Sequence, residues 1–124
     1  MSTDRDRRRA LTRAVSAVLA CWGAVQLVAP GRTARTCAPH VPVPEAWIVR
    51  VLGARTVLQH ALVLARPTRG VVLAGAVVDG LHAASMVPVA LLWQDYRRPA
   101  VVSAGSALAS ALAQAATAPA APRR

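Results

Sequence analysis

Few residues in this chain can do chemistry, and most of them lie inside apolar stretches. Arg55, Gln59 and His60 fall within residues 46–65, and Asp79 and His82 within residues 71–93. A guanidinium and a carboxylate on neighbouring helices can form a charge-assisted pair. Asp and His side chains at bilayer depth also serve as proton relays in transporters. Pro67 and Thr68 form a short turn between the two stretches. In an antiparallel helix hairpin, positions equidistant from the turn face each other, so Arg55 is expected level with Asp79 and His82. The faces agree. Leu52, Arg55, Gln59, Leu62 and Arg66 share one stripe, and Gly75, Asp79, His82 and Met86 share another. The sharpest expectation is a buried Arg55–Asp79 ion pair whose remaining hydrogen bonds are completed by Gln59 and His82.

As a functional site, this cluster would be a proton- or cation-coupling centre, or a pocket for a polar lipid or substrate group. As a structural device, Arg55 and Asp79 neutralise each other and fix the register of the hairpin. Buried pairs can specify geometry without adding net stability, and the mutual neutralisation favours this second reading. His60 and Arg50 are secondary candidates. His60 is expected to hydrogen-bond a neighbouring helix, and Arg50 to snorkel to the interface with Glu45 near it. A haem held by His60 and His82 is not expected, because the two are off level in a straight hairpin and no CxxCH motif is present. No Ser/His/Asp arrangement, metal motif or Gly-rich phosphate loop is found, so the expectation is a non-enzymatic chain with no metal and no cofactor. Cys21 lies in an apolar stretch and Cys37 in the loop after it; their different depths argue against a disulfide.

These residues must be positioned by four apolar blocks, 14–29, 46–65, 71–93 and 100–118. A basic head, residues 1–13, precedes them, and a Pro/Ala/Arg tail, residues 119–124, follows. Hydrophobic residues make up 55% of the 124 and charged residues 16%, against roughly 25% charged in an ordinary soluble domain. A helix of about 20 apolar residues crosses the hydrocarbon core. The first block reaches that length if its helix starts inside the head. The second block is the weakest, since a central Arg costs about 2.5–3.5 kcal/mol to insert and each Leu, Ile or Val returns roughly 0.3–0.6. It is expected to insert together with the third block. The predicted fold class is therefore all-α, an integral membrane four-helix bundle.

The breaks fit this division. Pro30 and Gly31 end the first block, and Pro39, Pro42 and Pro44 keep the first loop extended. Pro99 suits the first turn of the fourth block, and Pro88 is a candidate kink in the third. With the N-terminus in the cytoplasm, Arg5, Arg7, Arg8, Arg9, Arg13, Arg66, Arg69, Arg123 and Arg124 lie inside, and only Arg32, Arg35, Arg97 and Arg98 outside. The positive-inside rule then puts both termini in the cytoplasm of a multi-pass cell-membrane protein, with Trp47, Trp93 and Tyr96 near the outer interface. A cleaved signal peptide is disfavoured: no A-x-A site follows Ala29, and the remainder is still apolar. The formal net charge of +10 is no nucleic-acid footprint either, because the arginines lie between blocks and not on one continuous surface. In the fourth block, Ser103, Ala107, Ser110 and Gln114 share a stripe, as do Ser106 and Ser110, and such small faces permit close helix packing.

The segment Leu52-Gly53-Ala54-Arg55 with Gln59, followed by Asp79 and His82-Ala83-Ala84-Ser85-Met86 on the next helix, resembles small four-helix membrane proteins of unknown function common in high-GC bacteria. The resemblance covers the second and third helices, about half the chain. It implies a four-helix membrane fold and no established activity. Small multidrug-resistance transporters have comparable size, but they use a membrane-embedded Glu in the first helix, and the first block here has no acidic residue. The function expected is that of an accessory or interaction subunit whose partners are the lipid bilayer and either a second copy or another membrane protein. The alternative is a small proton- or cation-coupled transporter or channel using Asp79 and His82.

Overall fold

The structure, a computed structural model, describes residues 2–120. Arg123 and Arg124, counted above on the cytoplasmic side, lie outside the described residues. The chain forms helices α1 (Ser2–Val28), α2 (Pro30–Cys37), α3 (Ala46–Ala65), α4 (Arg69–Leu92) and α5 (Arg97–Thr117), with a 3-10 turn at Gln94–Tyr96. The described residues contain no strand. Four of the helices, α1, α3, α4 and α5, are long and apolar enough to cross a membrane.

Helix boundaries follow local chemistry. The helix of the first block does start inside the basic head: α1 runs unbroken from Ser2, and the arginines extend the helix without interrupting its backbone bonds. Pro30 does end α1, but it also starts α2 at a position where its missing N–H is not needed. The first loop thus begins as a short helix, and the extended chain is confined to residues 42–45. His40 turns the chain there with φ 64°, a left-handed conformation that His enters more readily than most residues. The hydroxyl oxygen of Thr68 accepts from the Val71 N–H and caps α4. Pro88 does not end α4, which continues to Leu92.

The four long helices run alternately up and down, but they pack as two close pairs, α1 with α3 and α4 with α5. The α3–α4 hairpin, by contrast, touches far less along its length. The physical reason lies in small residues. A methyl group placed on Gly53 would lie 2.7 Å from the Gly23 carbonyl oxygen, and one on Gly23 would lie 2.8 Å from the Gly53 carbonyl oxygen. The two backbones meet where neither carries a side chain, as small-residue helix crossings in lipid do. On α5, the stripe of Ala100, Ala107, Ser110 and Gln114 is buried. At one end of the bundle the Thr12 hydroxyl donates to the carbonyls of Arg8 (2.9 Å) and Thr117 (2.7 Å), tying α1 to the end of α5. Arg69 Nη1 donates to the Pro119 carbonyl at the same end.

The interior is small and polar, and the exterior is large and apolar. The largest fully buried side chains are His60, Gln114, Val63, Val72, Thr12 and Ser16. Val18, Leu58, Leu81, Leu91, Leu92 and Leu112 face outward. Leu62, expected on the inward stripe with Arg55, also turns outward, at 55% exposure. A water-soluble domain distributes these residue types the other way.

Candidate functional site

Asp79 sits at the centre of the bundle, 3% exposed, and α3 and α5 both reach it. From α3, Arg55 Nη2 donates to Oδ1 at 3.0 Å and Gln59 Nε2 to Oδ2 at 3.0 Å. From α5, the Ser110 hydroxyl donates to Oδ2 at 2.6 Å and Gln114 Nε2 at 2.7 Å. One carboxylate therefore accepts four hydrogen bonds, and one of them is an ion pair. The spacing explains the convergence. Arg55 and Gln59 are one helical turn apart on α3, as Ser110 and Gln114 are on α5, so each helix presents two donors on one face. Gly75, one turn before Asp79, leaves room for both glutamines: Gln59 Nε2 also donates to the Gly75 carbonyl at 3.3 Å. The Gln114 side-chain oxygen occupies the space where a Cβ on Gly75 would lie.

Gly75→Ala should therefore displace Gln114 from Asp79. The expected loss is about 1–3 kcal/mol, the cost of overpacking a filled interior. Reversible unfolding in detergent–SDS mixtures would measure it, and an unchanged midpoint would contradict this geometry.

His82 does not complete the cluster, contrary to the expectation from sequence. Its Nε2 lies 2.9 Å from the Ser103 hydroxyl on α5. Three residues beyond Asp79, it stands about 60° further round α4 and nearly one turn higher, which directs it to α5 instead of α3. Among the described residues His60 makes none of the interhelical hydrogen bonds expected of it. It is 1% exposed, and its Nδ1 has no partner. The Gly23–Gly53 contact brings Ser16 level with His60, and the Ser16 hydroxyl also has none. Arg50 is exposed and donates weakly, at 3.4 Å, to the Leu27 carbonyl; it makes no ion pair with Glu45 among the described residues.

No protein-family model, no curated protein and no solved structure matches the chain. The site must be read from its own geometry.

Beside the carboxylate lies a cleft of about 80 Å³ between α1, α3, α4 and α5, lined among others by Leu19, Trp22, Gln26, Arg55, His82 and Ser103. Among the described residues, no group of His, Cys, Asp and Glu side chains is arranged to hold a metal ion. The arrangement holds one carboxylate rigidly and leaves a small polar space next to its arginine. Sequence reasoning placed Ser110 and Gln114 on one stripe but not on Asp79, and it missed Gln26 altogether.

Proposed function

We propose that this chain is a multi-pass protein of the cell membrane, with both termini cytoplasmic, that acts as a non-enzymatic accessory or interaction subunit. The outward-facing Leu and Val side chains and the polar interior support lipid as its surroundings, since hydrocarbon solvates the former and cannot solvate the latter. The excess of arginines at the Arg5–Arg13 and Arg66–Arg69 end supports the orientation.

The observation that carries the accessory reading is the number of protein donors already on Asp79. A carboxylate that shuttles a proton needs a lone pair open to water or to a relay partner. Oδ2 already accepts three hydrogen bonds from the protein, Oδ1 faces Arg55, and His82 is turned to Ser103. The network is built to hold helices together. The cleft at Arg55 is the feature that favours the alternative, a small transporter or channel using Asp79 and His82.

Asp79→Asn separates the two, because it keeps the size and removes the charge. On the accessory reading, the variant loses folded protein in lipid nanodiscs, and neither it nor the parent shows pH-dependent ion flux in proteoliposomes. A variant that folds as well as the parent, while abolishing a flux the parent displays, would establish the transporter instead.

A further inference from the structure

Arg55 gives only one of its nitrogens to Asp79. Its Nε and Nη1, which together carry three N–H bonds, are buried and meet no acceptor. The side-chain carbonyl oxygen of Gln26, on α1, is likewise buried and meets no donor. Both side chains line the cleft beside Asp79. The hydroxyls around it are already committed: Thr56 donates to the Leu52 carbonyl, Ser106 to the Ser103 carbonyl, and Ser103 is paired with His82. Arg55 and Gln26 line the cleft, but these donors and this acceptor are too buried for water in it to touch. A buried polar group without a partner carries its full desolvation cost until something supplies one.

We propose that this cleft binds a small uncharged polar solute bearing a carbonyl acceptor and an adjacent N–H or O–H donor. Binding turns the Arg55 and Gln26 side chains slightly into the cleft, so that the solute's carbonyl meets the Arg55 donors and its own donor meets the Gln26 oxygen. Charge selects against a carboxylate: Arg55 is already neutralised by Asp79 at 3.0 Å, so an added anion would be uncompensated in an apolar surrounding. Such an anion would also face the Gln26 oxygen. Size sets the other limit. The volume of about 80 Å³ exceeds the roughly 10–15 Å³ that one water needs, yet it admits only a few heavy atoms. Leu19 and Trp22 provide an apolar wall against which the rest of the solute lies. This site is independent of the accessory role proposed above, since it uses the donors that Asp79 leaves free.

The test uses the full chain in lipid nanodiscs, nitrogen-15 labelled, with acetamide as probe and acetate as its charged counterpart. The Arg55 Nε–H and Trp22 indole N–H resonances report occupancy. Acetamide should shift both saturably, with a dissociation constant of roughly 1–100 mM for so small a ligand, and acetate at the same concentrations should not. Gln26→Leu should weaken acetamide about fivefold, as loss of one hydrogen bond does, with helical content and unfolding midpoint unchanged. Gln26→Met, which keeps the side chain unbranched, serves if Leu disturbs α1. The proposal is overturned if acetamide gives no saturable shift, which would leave a cleft holding water only. It is equally overturned if acetate binds as well as acetamide, or if the affinity is indifferent to Gln26. None of these outcomes bears on the folding of Asp79→Asn, so the two proposals fail separately.

Discussion

Asp79→Ala is expected to lower the unfolding free energy of the bundle by about 3 kcal/mol, the lower end of the 3–5 kcal/mol typical when one partner of a buried pair is removed. Arg55, Gln59, Ser110 and Gln114 all direct donors at this carboxylate, and the substitution removes four hydrogen bonds at once. The estimate stays at the lower end because the Arg55 side chain is not fully enclosed, at 31% exposure. The three neutral donors add less individually, since hydrogen bonds between membrane helices average about 0.6 kcal/mol. Unfolding in detergent–SDS mixtures reads the total. Adding Arg55→Leu to Asp79→Ala should recover part of the loss, because the unpaired cation is then gone. A loss below about 0.5 kcal/mol for Asp79→Ala, the size of an ordinary surface change, would show that Asp79 is not the fastening point of the bundle.

Gly53→Val is expected to be comparably damaging, for a steric reason. Its new Cβ would fall 2.7 Å from the Gly23 carbonyl oxygen, 2.8 Å from Gln26 Cβ and 3.1 Å from the Leu27 amide nitrogen. Two of those three atoms are backbone, so no rotamer change relieves the contact and α1 must move away from α3. Overpacking of this kind costs about 1–3 kcal/mol, and the upper end applies where backbone is the obstacle. Gly105→Ala is the matched control. Nothing lies within 4 Å of its built Cβ, and Ala in a helix interior is better than Gly by roughly 0.5–1 kcal/mol. The control should therefore be neutral or slightly stabilising. Equal unfolding midpoints for the two variants would mean that α1 and α3 do not meet at their glycines.

The hairpin rule accounts for what the sequence revealed of this centre. Equidistance from the Pro67–Thr68 turn brings Arg55 opposite Asp79 and Gln59 opposite Gly75, and both contacts are present. The same rule, applied to the link at Gln94–Asp95, puts Ser110 opposite Asp79 and Gln114 one turn beyond. Those two donors are legible on that rule, whereas the spacing of small residues alone marks them only as packing residues. The α1–α3 pairing was not legible in that way, because α2 and an irregular loop separate the two helices and no turn centre defines their register. Gln26 was hidden for the same reason: its neighbours depend on where Gly23 meets Gly53. Residues three apart do not share one face: both Asp79 and His82 meet α5, but the 60° between them turns His82 away from α3.

The dependence of Asp79 on α5 also has a consequence for how the chain is made. On the proposal that the chain inserts into lipid, there is a stage at which α4 has entered but Ser110 and Gln114 have yet to be delivered, and the carboxylate then holds only the two donors of α3. On that reading the nascent protein would pass through an interval in which this buried carboxylate is half satisfied, and the last helix would relieve it. A truncated product lacking that helix would carry a visible defect at its centre, a ready mark for the proteases that clear unfinished membrane proteins.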